Sequence, residues 1–180
     1  MLTTLLMTSI TLQDEVRDKH SRWLPQVRRW MVAAIEGKPS PDLHSQTPPV
    51  PVFVTVERHG RVLGCRGSLQ IRSDRLEREL ELAARSAVRH DPRYPPIQRQ
   101  ELDQARITIT FVERLLPVRD VKRLTTETGL VLRSGNRVGV VLPFEGRDPE
   151  TRLKWAYQKA GIQFGSSVSL FAMHATRVSE

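Results

Sequence analysis

Apolar positions recur at three- and four-residue spacing through residues 21–36, at Trp23, Leu24, Val27, Trp30, Met31, Ala34 and Ile35, and this predicts a helix. Gly37 and Pro39 end it, as glycine and proline do just past a helix C-terminus. Residues 38–49 are polar and proline-rich without periodicity and read as a surface loop. The period then changes to two. PVFVTVER predicts a strand, His59 and Gly60 a hairpin turn, and RVLGCRGSL the second strand of the hairpin. Asp74 followed by Glu77 predicts a helix start with a capping box. On that helix Leu76, Leu80, Ala83, Ala84 and Ala87 share one apolar face, while Arg75, Arg78, Arg85 and Arg89 fall together opposite it. Glu77, Glu79 and Glu81 are expected on its solvated flanks.

HDPRYPPIQRQELDQ is a turn-rich connection with a short helix around Glu101 and Leu102. In ARITITFVERL, Ile107, Ile109 and Phe111 alternate with Thr108, Thr110 and Val112, the strongest strand signal in the chain. LVLRSGNRVGVVLP predicts a hairpin turning at Ser134, Gly135 and Asn136. Asp148, Pro149 and Glu150 supply an N-cap, an N1 proline and an acidic first turn for a helix that runs to Ala160 and ends at Gly161. SVSLFAMHATRV predicts a closing strand. Hairpins and a few helices without regular βαβ alternation define the α+β class, a largely antiparallel sheet packed with helices.

Composition narrows the class. With 180 residues, 39% hydrophobic and 27% charged, the chain suits one globular domain that buries a real core. MLTTLLMTSITL carries no lysine or arginine before its apolar stretch and runs into Gln13, Asp14 and Glu15. It is therefore expected to be a tail over residues 1–20 rather than a signal peptide, preceding a single domain over 21–180. No apolar run is long enough to span a bilayer. One cysteine excludes an internal disulfide and a cysteine-clustered metal site and fits a reducing compartment, so a cytoplasmic location is expected. The formal charge of +8 permits an anionic partner. Nucleic acid is one such partner, through Arg75, Arg78, Arg85 and Arg89, although no aromatic residue interleaves with that row to stack on bases.

Walker, GxGxxG, HExxH, GxSxG and EF-hand patterns are absent, so no cofactor is expected. His20, His44, His59, His90 and His174 show no metal-ligand spacing, and no metal is expected either. Cys65 is the sole candidate nucleophile. Gly64 and Gly67 leave backbone room for a ligand and Ser68 adds a hydroxyl, yet the same glycines suit a cysteine that is simply a small buried residue where backbones pack closely. Both readings stay open.

GRVLGCRGSL, HDPRYPP, ITITFVERLLPV, GNRVGVVLP and LKWAYQKAGI together resemble the AMMECR domain family, whose prokaryotic members are called AmmeMemoRadiSam system protein A. Gly64, Cys65, Gly67 and Ser68 match the family's LRGCIG motif and the hydroxyl residue after it. Asp91, Pro92, Arg93, Pro95 and Pro96 match a DPRFPP-like loop, with Tyr94 for phenylalanine, and Leu142 and Pro143 match a late leucine–proline pair. Leu63 and Arg66 depart from it, standing where the family has arginine and isoleucine. In a regular strand position 63 shares a face with Cys65 and position 66 does not, so the arginine has changed faces unless a bulge intervenes.

The resemblance implies a main lobe plus a smaller lobe and an activity that is not established. It also implies a cleft near Cys65 that takes a small anionic ligand or a partner protein, and the company of a Memo-like protein and a radical SAM enzyme. The expected ligand contacts are Gly64, Arg66, Gly67, Ser68, Asp91 and Arg93, with Cys65 as nucleophile if the protein is a thiol enzyme and Arg66 or Arg93 as the charge clamp.

Overall fold

The structure, a computed structural model, describes residues 18–42 and 45–180. The expected tail lies outside these residues except for Asp18, Lys19 and His20, which are helical. The chain then forms α1 (Leu24–Ile35), β1 (Val52–Arg58), β2 (Arg61–Ser68), α2 (Leu76–Arg89), α3 (Arg99–Asp103), β3 (Arg106–Pro117), a 3-10 turn at Val121–Arg123, β4 (Gly129–Ser134), β5 (Arg137–Val141), α4 (Pro149–Ala160) and β6 (Ser169–Ser179). The strands run in the order β2-β1-β3-β6-β4-β5. The described pairings β1–β2, β1–β3, β4–β5 and β4–β6 are all antiparallel. The fold is α+β, and the chain divides into two compact units, the first reaching Phe111 and taking back Thr176–Glu180, the second Val112–Ala175.

In the first unit Val52, Val54 and Val56 of β1 and Ile107, Ile109 and Phe111 of β3 present one face to α1 and α2. Val27, Trp30 and Met31 of α1 and Leu76, Leu80, Ala84 and Ala87 of α2 complete that core. The predicted apolar stripe of α2 is buried in full. Its predicted start is not as expected. The helix begins at Leu76 behind Arg75, with no side-chain cap, because the carboxylates are engaged elsewhere. Glu77 accepts the Ser45 N–H at 2.9 Å. Glu79 accepts the N–H groups of Arg72 and Ser73, each at 2.6 Å, and the Ser73 hydroxyl. Both side chains are buried rather than solvated. They fold the segments before the helix back onto it, and a buried carboxylate needs such donors.

The second unit packs Leu130, Leu132, Val141, Ala156 and Tyr157 together. Asp148 caps α4 by accepting the Thr151 N–H, and Gly161 ends it at φ +65°. Arg152 is fully buried. Its guanidinium donates to the carbonyls of Thr125 and Thr128, and burial pushes its pKa down against the opposing pull of Glu145. Among the described residues no helix is long and apolar enough to cross a membrane.

Candidate functional site

β2 carries the candidate motif and stands at the end of the strand order, so one of its edges has no strand partner among the described residues. Cross-strand pairs share a face, and the register is Val52–Ser68, Val54–Arg66 and Val56–Gly64 on one side, Phe53–Gly67 and Thr55–Cys65 on the other. The valines belong to the core beneath the helices, so Gly64, Arg66 and Ser68 face α2 while Cys65 faces away. The glycines answer to packing. A Cβ on Gly64 would stand 2.1 Å from the Ala87 carbonyl oxygen of α2, and one on Gly67 would stand 2.2 Å from the carbonyl oxygen of Val52.

A bulge opposite Val56 and Glu57 leaves Leu63 without a partner in β1, and its side chain packs on the helix-side core. The regular alternation that would put position 63 beside Cys65 therefore breaks at that residue. Arg66 is unaffected by the bulge and keeps its register opposite Val54.

The two family motifs meet as a main-chain clamp. The Asp91 carboxylate accepts the Cys65 N–H at 2.8 Å. It also binds the Arg93 guanidinium through Nε at 2.9 Å and Nη2 at 2.8 Å, and the Arg93 Nη2 donates to the Cys65 carbonyl at 2.7 Å. The N–H and C=O of Cys65, which point out of the open edge of the sheet, are thus both satisfied by side chains of the DPR turn, and strand pairing stops there. The turn is itself fixed by an Asp91 carbonyl to Tyr94 N–H bond at 3.2 Å and by Ile97 N–H donating to Val88 of α2 at 2.9 Å. Burial alone would push the Asp91 carboxyl up. The Arg93 guanidinium and the N–H groups of Cys65 and Arg93 outweigh it and hold the pKa below the ordinary range. The Arg93 pKa is raised, chiefly by its hydrogen bond to Asp91.

The Cys65 thiol is half-buried and accepts a hydrogen bond from Thr55 Oγ1 at 3.2 Å. The sulfur lies within electrostatic reach of Arg93, but that cation is already matched by Asp91, so the pair offers the thiol little net charge. Arg66 lines a different place. A small polar hollow of about 30 Å³, partly open to solvent, lies between the end of β2 and α2, walled by Arg66, Gly67, Ser68, Arg72, Glu79 and Ser86. Neither Arg66 nor Arg72 takes an ion-pair partner among the described residues. Of the expected ligand contacts, Arg66, Gly67 and Ser68 come together here, whereas Gly64 is sealed against α2 and Asp91 and Arg93 are spent on the clamp. Arg72 and Ser86 have no local sequence signal. Arg72 reaches the hollow because Glu79 pins its main chain.

The arginine row of α2 is mostly engaged within the molecule. Arg75 pairs with Asp74 and Glu77, Arg78 with Glu81 at 2.5 Å, and Arg85 donates to Ser40 at 2.9 Å, while Arg89 is exposed. Among the described residues no three His, Cys, Asp or Glu side chains form a metal-holding group. His44 lies outside them.

Fold and site together define an α+β domain whose motif strand is an edge strand locked by an aspartate–arginine turn. The family model of AMMECR1 matches residues 10–177, and the chain belongs to that family. It is 35% identical over 114 residues to a protein of Thermotoga maritima, a match covering 61% of this chain and 66% of that one. A protein of Aeropyrum pernix is 32% identical over 128 residues, 63% of this chain and 55% of that one. The match thus spans less than two thirds of these relatives' own length. The crystal structure of an uncharacterized protein from Pyrococcus horikoshii superposes with a TM-score of 0.73 at 20% identity, covering 89% of this chain and 90% of the other, and shows the same fold.

Proposed function

We propose that this AMMECR1 domain is a binding module for a small oxyanion, phosphate being the simplest, held on the helix side of β2 by Arg66 and Arg72 with the hydroxyls of Ser68 and Ser86. The supporting observation is that two guanidinium groups without an ion-pair partner among the described residues line one hollow, since planar guanidinium donors match carboxylate and phosphate oxygens. Glu79 lines the same hollow and leaves it one positive charge in excess, but its Oε1 is occupied by three donors. A thiol reaction on the bound anion is not part of the proposal, because Cys65 belongs to the opposite face of the strand. An accessory role beside a Memo-like protein and a radical SAM enzyme is supported by the family resemblance alone.

Calorimetric titration with inorganic phosphate at low salt tests this reading. Saturable binding is expected at a Kd near 1 mM or tighter, about 4 kcal/mol. Arg66→Gln and Arg72→Gln should each weaken it at least fivefold, and Cys65→Ser should leave it unchanged. Binding that is absent, or that survives both arginine replacements, overturns the reading.

A further inference from the structure

A second hollow, of about 370 Å³, lies at the other end of β2, between the β1–β2 turn and the loop after Arg93. It is lined by Val62, Leu63, Tyr94, Pro95 and Ile97, with Arg58, His59, Arg61 and Glu101 around them. Its volume falls at the lower end of ligand pockets, which run from about 300 to 1,000 Å³. Three features of the chain converge on it. The bulge frees Leu63 from pairing and turns it toward the helix-side core. Arg93, fixed by Asp91, stacks on the Tyr94 ring at 5.3 Å and holds that wall in place. Arg58 and Arg61 stand directly opposite one another across the hairpin.

A like-charged cross-strand pair is destabilising, and neither arginine takes an ion-pair partner among the described residues. His59 between them adopts φ +50°, a left-handed turn conformation that histidine, like asparagine, tolerates. The hairpin tip thus holds two guanidinium groups without an ion-pair partner among the described residues beside an apolar cavity, and an anion lying between them relieves their repulsion. The charge of that anion is bounded by Glu101 on the same rim, whose carboxylate accepts only the Gln98 N–H at 2.9 Å and disfavours a multiply charged group. Strand addition by an extended peptide is blocked a few residues on, where Asp91 and Arg93 fill the edge at Cys65.

The geometry points to a site for a free amphipathic monoanion, an alkyl or aryl carboxylate whose apolar body lies against Leu63, Tyr94 and Ile97 and whose carboxylate lies between Arg58 and Arg61. The site is separate from the oxyanion hollow and does not depend on it.

The test is a titration of the 15N-labelled full chain with octanoate and, separately, with the neutral octanamide, followed by amide chemical shifts. Octanoate should give saturable shifts at Leu63, Tyr94 and Ile97, and octanamide should bind there at least fivefold more weakly. The double replacement Arg58→Gln/Arg61→Gln removes a repulsive pair from an exposed turn, so it should melt no lower than the parent. It should bring octanoate down to the level of octanamide. Arg66→Gln/Arg72→Gln should leave octanoate binding unchanged. No shift at those residues, equal affinity for the acid and the amide, or loss of octanoate binding in the Arg66/Arg72 variant overturns the site. None of these results depends on whether phosphate binds.

Discussion

Asp91→Ala isolates the clamp that joins the two family motifs. The carboxylate is 2% exposed, whereas its partner Arg93 is 40% exposed. Its removal leaves the Cys65 N–H without an acceptor at a site no strand covers, and an orphaned buried donor costs about 1–3 kcal/mol. The Arg93 guanidinium can regain water, so the lost ion pair adds only about 0.5–1 kcal/mol. A total near 3 kcal/mol corresponds to a fall in Tm of about 6–12 °C for a chain of this size. Urea and thermal melts in a Trp155→Phe background report on Trp23 and Trp30, which lie in the first unit's core. Asp91→Asn keeps one acceptor oxygen and should lose about half as much. The Asp91 pKa is lowered by folding, so its contribution is whole above the unfolded carboxyl value of about 3.9 and fades as pH falls through the lower folded value. The gap between parent and Ala variant should therefore stay constant from pH 8 to 5 and narrow below about pH 4. A loss under about 1 kcal/mol, or a gap that does not narrow in acid, would refute the clamp.

Gly64→Ala puts a methyl group 2.1 Å from a helix carbonyl that cannot rotate away; equilibrium unfolding should show a loss at or above the upper end of the overpacking range, about 3 kcal/mol, and a neutral result would mean that α2 is free to move off the strand. Arg78→Ala removes a half-exposed pair with Glu81 and should change stability by less than about 0.5 kcal/mol in the same assay. It should also leave any binding to single-stranded DNA at low salt unchanged, and a clear loss there would return the arginine row to consideration as an interface.

The elements were legible where local chemistry decides them. His59–Gly60 turns one hairpin, and both residues have positive φ. Asp148, Pro149 and Gly161 delimit α4 as their side chains and conformational preferences require. The failures came where a distant group claimed a residue. Asp74 and Glu77 have the spacing of a capping box, but Glu77 and Glu79 are drawn inward by main-chain donors at Ser45, Arg72 and Ser73, and no helical wheel contains that information.

The candidate site was legible in part: Arg66, Gly67 and Ser68 could be named from β2, whereas Arg72 and Ser86 could not. Alternation correctly separates Arg66 from Cys65 within the strand, but the bulge at Leu63 depends on how β2 registers against β1 and cannot be read from β2 alone. Asp91 and Arg93 were named as expected ligand contacts through the resemblance of HDPRYPP to the family's loop. Their use as acceptor and donor for the main chain of Cys65, 26 and 28 positions away, follows only from the tertiary fold.

The proposed anion site and the thiol lie on opposite faces of β2. The most direct measurement is a phosphate titration of the 15N-labelled chain read at Arg72 and Ser86 on the helix side and at Thr55 on the thiol side. Saturable shifts are expected at Arg72 and Ser86, with Thr55 unmoved. Shifts centred on Thr55 and Cys65, with Ser86 silent, would contradict that placement.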